Sequence, residues 1–146
     1  MEYLIGLMLS AAVAGSAVII GFDRERSFYA TVLVVIATYY VLFAVQGAST
    51  RTLALEIIVS SVFSAIAVLG FRTNFWFVVA GMIGHGVFDF LHQLFIENPG
   101  VPVWWPGFCL AFDVIFGSFL AMRLLTRSGF ASNRIATPER SYNARP

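Results

Sequence analysis

Lysine does not occur in this 146-residue sequence, cysteine occurs once and histidine twice. Charged residues make up only 12% of it, about half of the roughly 25% usual for a soluble domain. Each scarcity excludes something. A single cysteine, Cys109, rules out an intramolecular disulfide. Nine arginines against eight acidic residues leave a formal net charge of +1. That gives no excess positive charge to neutralise phosphates, and no basic helix with an apolar seam is present, so nucleic acid is not an expected partner.

What the sequence has in quantity is apolar surface: 59% hydrophobic residues, 16% aromatic, and a mean hydropathy of +0.83. The apolar residues gather into runs at 3–21, 28–46, 52–71, 75–96 and 107–125. Each is about 19 to 22 residues long, enough to span a bilayer as a helix. Short polar segments at 23–27, 47–51 and 72–74 and a longer Pro-bearing loop at 97–106 separate them. The runs lack period-2 alternation, so they read as helices rather than barrel strands. The expected architecture is an all-α integral membrane bundle of five transmembrane helices over residues 1–125, with a polar, flexible tail at 126–146. The leading residues Met1-Glu2-Tyr3 carry no positive charge ahead of the first run, which argues against a cleaved signal peptide. Ala11, Ala12, Ala14, Gly15, Ala17 and Gly21 are then expected to let a retained first helix pack closely on a neighbour.

Arginine orients the bundle, because cytoplasmic segments carry the excess of basic residues. One side collects Arg24, Arg26, Arg72, Arg127, Arg134, Arg140 and Arg145, with Arg123 near the same end; the other has Arg51. The N-terminus is therefore expected outside and the C-terminus in the cytoplasm of a cell membrane, inner or plasma. Trp104 and Trp105 then fall on the outer side, where amphipathic rings favour the headgroup region. With so few helices around a polar interior, a homo-oligomer is expected.

The informative residues are those a membrane helix should not contain: Glu56 in the third run, His85, Asp89 and His92 in the fourth, and Asp113 in the fifth. The spacing H-x3-D-x2-H puts Asp89 about 40° and His92 about −20° from His85 around a helix, within one face. At a rise of about 1.5 Å per residue from the outer end of each run, His92 and Glu56 lie about 6 Å deep, Asp113 about 9 Å, Asp89 about 10 Å and His85 about 16 Å. Tyr39 and Gln46 on the second helix and Ser60 and Ser64 on the third fall at similar heights, so one polar chamber opening outwards is expected. Three carboxylates with two neutral imidazoles cannot stay bare in low dielectric. Either they are protonated and hydrogen-bonded, or a divalent cation sits among them. His85, Asp89, His92 and Asp113 supply the nitrogen and oxygen donors that Zn, Fe or Mn accept. Cys109 reads as a packing residue. Taken singly, each polar group also fits an interhelical hydrogen bond.

Residues 84–93, with His85, Asp89 and His92, are followed by Asn98-Pro99, the Trp/Pro segment and Cys109-x3-Asp113. This arrangement resembles a family of small multi-pass membrane proteins with no assigned activity, whose pattern is H-x3-D-x2-H-H, a short Pro-bearing loop and C-x3-D. The resemblance covers roughly residues 81–117; Gln93 stands where that pattern has a second, adjacent His. It implies a membrane fold and draws attention to His85, Asp89, His92 and Asp113. The chemistry is also similar to that of the seven-helix hydrolases of the alkaline ceramidase and adiponectin receptor type, which set His, Asp and Ser around an intramembrane zinc. Here five helices are visible and a second His cluster is missing, so the likeness is one of chemistry alone.

Three functions fit these residues. The first is a metal-dependent membrane enzyme acting on a lipid or other hydrophobic substrate; in a hydrolytic version His85, His92 and one or both of Asp89 and Asp113 hold the metal, a bound water attacks, and Glu56 or the remaining carboxylate moves the proton. The second is a small transporter in which Asp89 and Asp113 bind and release protons or cations and the histidines relay them. The third is a non-catalytic protein whose polar cluster specifies helix packing or a partner interface.

Overall fold

In hydrocarbon a backbone must satisfy its own polar groups, and a long apolar run does this by winding into a helix. All five runs do so. The structure, a computed structural model, describes the backbone of residues 1–135 and the side chains of residues 1–126. The elements among the described residues are α1 (Glu2–Ile20), α2 (Arg26–Val45), α3 (Thr50–Arg72), α4 (Trp76–Leu91) and α5 (Trp105–Ile135), with 3₁₀ turns at Phe22–Arg24 and His92–Leu94. Each of the five helices contains a segment long and apolar enough to cross a membrane.

The polar separators end the helices by specific bonds. Gly21 adopts a left-handed φ of 92° and donates its N–H to the Ala17 carbonyl, which closes α1. Ser49 Oγ accepts the Thr52 N–H at 3.1 Å and opens α3. At the far end of α3, Arg26 donates to the Phe71 carbonyl at 3.0 Å, placing a cation on the negative end of the helix.

Around the bundle, α1 packs on α5, α5 on α4, α4 on α3 and α3 on α2, and α2 also touches α4. α4 is the most enclosed, with 44% of its span buried against 22–33% for the other four. The interior is divided along its length. Towards the Arg26 end it is apolar, built from Tyr29, Leu33, Phe75, Val78, Met82, Phe116 and Leu120. Towards the end where α4 finishes, the buried side chains include Glu56, His85, Asp89, His92, Asn98 and Asp113. The outer surface is the reverse, with large aliphatic and aromatic side chains such as Met8, Leu42, Ile58, Val62 and Phe90 half or more exposed.

Three expectations are modified. The first helix does pack closely, but through Gly6, Ser10, Ala14 and Ala17, a stripe at helical spacing; Ala11, Ala12 and Gly15 are exposed. The fourth helix stops at Leu91 instead of continuing through the apolar run to residue 96, because Phe95 and Ile96 turn back to bond the His92 carbonyl. The fifth continues as helix to Ile135, so part of the expected tail is helical; residues 136–146 lie outside the described residues.

Candidate functional site

The site begins with two residues one turn apart on α4. His85 and Asp89 both face inwards, 2% and 1% exposed. Between them Gly86 brings α5 close: a Cβ there would stand 2.8 Å from Cβ of Asp113. Asp113 Oδ2 consequently reaches His85 Nδ1 at 2.8 Å, a hydrogen bond in the buried interior. Asp89 Oδ2 is 3.6 Å from the same nitrogen. Phe63 covers the imidazole edge-on, its ring centroid 4.9 Å away.

His85, Asp89 and Asp113 each offer one ligand atom within 4.8 Å of the other two. The donors are one imidazole nitrogen and two carboxylate oxygens, a set suited to Zn, Fe or Mn. Neither oxygen of Asp89 meets a nitrogen or oxygen hydrogen-bond donor, its polar neighbours being the Cys109 thiol and His85 Nδ1 at 3.6 Å, and Asp113 Oδ1 has no hydrogen-bond partner. Burying a carboxylate with so few donors around it is costly, and a cation or a proton held there would offset that cost. Cys109, one turn before Asp113, is buried beside Asp89.

His92 and Glu56 form a second unit. His92 Nε2 lies 2.8 Å from Glu56 Oε1, and Asn98 Nδ2 donates to the same oxygen at 2.8 Å. Asn98 also donates to the Tyr40 carbonyl at 3.2 Å, and its own Oδ1 accepts the Gly100 N–H. Glu56 Oε2 and His92 Nδ1 have no hydrogen-bond partner. Tyr40 joins the two units: its ring lies 4.2 Å from the His92 ring, and its hydroxyl donates to the Asp89 carbonyl at 3.5 Å.

The five sequence-selected residues are thus all buried, but the structure sorts them into two groups. His92 and Glu56 fall outside the group that can hold a metal. His85 and His92 share a face but are separated by seven residues, about 10 Å along the helix axis, whereas ligands of one metal sit about 2 Å from it. The expected open chamber is a packed interior, with all five residues between 0% and 2% exposed.

The second helix contributes Tyr40 rather than Tyr39 and Gln46. Tyr39 packs on Trp105 at 5.3 Å between ring centroids, and Gln46 bonds back to the Leu42 carbonyl. Asn98 was not legible as part of the site, since an Asn before Pro-Gly reads as a turn residue. It makes that turn bond and reaches inwards as well.

Among the described residues, the arginines lie at the ends of the bundle. Arg24, Arg26 and Arg123 line a cleft at the end opposite this cluster, where Arg123 pairs with Asp23; Arg51 lies in a cleft with Thr52 and Glu97. Compared with known protein families, with curated protein sequences and with solved structures, the chain matches none.

Proposed function

We propose that this chain is a multi-pass protein of a cell membrane, inner or plasma, in which His85, Asp89 and Asp113 hold a divalent metal for chemistry on a lipid or other hydrophobic substrate. The membrane placement rests on the inversion of the bundle, apolar outside and ionisable within, across helices of spanning length. The basic end, with Arg24, Arg26 and Arg123 around one cleft, faces the cytoplasm and the N-terminus lies outside.

The observation that carries the metal reading is Asp89. Its carboxylate is 1% exposed, meets no nitrogen or oxygen hydrogen-bond donor, and stands beside His85, Asp113 and the Cys109 thiol. His85 and Asp113 share one hydrogen bond, so metal loading displaces the proton between them and is favoured as pH rises. A bound divalent ion would supply Lewis acidity and a water acidified towards neutrality. The His92–Glu56 pair lies between the outer end and the first group, with the Tyr40 ring against His92 and the Tyr40 hydroxyl on the Asp89 carbonyl.

The stacking of two His–carboxylate pairs also favours a second reading, proton or cation transfer along Glu56, His92, Asp89, His85 and Asp113.

Elemental analysis of the detergent-purified protein after a mild chelator wash separates the two. Near-stoichiometric Zn, Fe or Mn in wild type, lost in His85→Ala, Asp89→Asn and Asp113→Asn but kept in His92→Ala, is the expected result. A folded, metal-free wild type overturns the metal reading and directs the next measurement to proton-coupled uptake in vesicles.

A further inference from the structure

α2 and α5 both lean on α4, yet on the side of α1 they part and leave a groove of about 490 Å³. Its walls are Val32, Ile36 and Tyr39 of α2 and Phe108, Phe112 and Asp113 of α5. It runs from Phe28 to Tyr39 along α2, a length of about 16 Å at the helical rise. Leu9 of α1 and Val35 of α2, 45% and 46% exposed, form its lips. The groove therefore opens sideways in the middle of the spans, where a bilayer offers hydrocarbon.

We infer that this groove takes an acyl chain of a bilayer lipid, entering sideways between α2 and α5 and lying against Asp113. The inference rests on the membrane placement and metal reading proposed above. Three observations select the occupant. The walls are mostly apolar, with Thr31, Cys109 and Asp113 as their polar members below the outer end, which disfavours a charged headgroup or a water-borne solute in it. Tyr39 and Trp105 stand together at its outer end, amphipathic rings suited to the headgroup boundary. Asp113 is the ionisable wall residue and also the partner of His85, so a chain in the groove passes directly beside the group that can hold the metal.

Asp113 follows Trp105 by eight residues, about 12 Å deeper along α5. With the headgroup held at Trp105, it is the body of the chain that meets Asp113. The lipid is thus presented by its hydrocarbon.

Photoaffinity labelling in vesicles tests this. Two phosphatidylcholines carry a diazirine, one at mid-chain and one next to the headgroup, and adducts are mapped on wild type and Ile36→Trp, with metal content read on the same samples. The mid-chain probe is expected to label Val32, Ile36 and Phe112 several-fold above Ile57 and Ile58 on the outer face of α3, the headgroup-proximal probe to shift towards Trp105, and Ile36→Trp to lose the groove adducts while its metal content holds. Equal labelling of groove and α3, adducts unchanged in Ile36→Trp, or adducts joining two copies of the chain through the groove overturn the inference. Groove labelling in metal-free protein supports the inference while overturning the metal reading; metal without groove labelling does the reverse.

Discussion

Asp113 Oδ2 lies 2.8 Å from His85 Nδ1, across the place where α4 and α5 come close at Gly86. The helix contact and the donor group are therefore one feature. The separation that permits close packing is the separation that lets a carboxylate of one helix reach an imidazole of the other.

A methyl group at Gly86 should break this feature by pressing on the backbone of α5 and on Asp113, whose Oδ2 would lie 3.4 Å from it. Its Cβ would be 2.8 Å from Asp113 Cβ and 3.3 Å from the Leu110 Cα, neither of which can swing away as a flexible chain end does. Gly86→Ala is expected to cost about 1–3 kcal/mol through overpacking and to weaken metal retention. Gly84→Ala meets nothing within 4 Å and should match wild type in both. Thermal unfolding in detergent with metal content on the same samples checks the pair. Equal behaviour of the two variants would sever the link between packing and site.

The Glu56 pair should affect stability and leave the metal in place. Glu56→Ala strands the buried His92 Nε2 and removes one of the two acceptors of Asn98 Nδ2, and removing one partner of such a buried pair costs about 3–5 kcal/mol. Glu56→Gln keeps an acceptor oxygen and should cost less. Both variants, where folded, should retain metal, since Glu56 lies outside the donor group. Loss of metal from folded Glu56→Gln would show that the two units act as one site.

The span boundaries and most of the donor group were readable before the fold was. Five apolar runs gave the helices because length and continuity are what a bilayer demands. The end of α4 was hidden, since Phe95 and Ile96 are as apolar as the helix before them but belong to a turn. Depths counted from the run ends put Glu56 and His92 together at about 6 Å but set His85, at about 16 Å, well apart from Asp113, at about 9 Å, although the two are bonded. Grouping by helix face obscured the Glu56–His92 pairing, because a face runs through every depth. Which tyrosine of α2 turns inwards depends on a rotation of about 100°, the step between adjacent residues, and only packing against α3 and α4 sets it.

Orientation can be read directly with the native cysteine as a silent background, since Cys109 is 5% exposed. A cysteine at Ala48 should react with a membrane-impermeant maleimide added to intact cells. One at Asn74 should react only after permeabilisation. The reverse pattern would invert the proposed topology.

The first and last spans of the bundle are neighbours: Gly6 of α1 sits against the Phe108 carbonyl of α5. During synthesis the helices that carry Glu56, His85 and Asp89 are made before the one that carries Asp113. His85 and its partner are 28 positions apart, a wait of about 1–6 s at roughly 5–20 residues per second. For that interval His85 lacks its Asp113 partner and the seam beside α1 and α4 is unfilled. The fifth helix closes both at once, so pairing of the imidazole and completion of the packed interior are a single event in assembly.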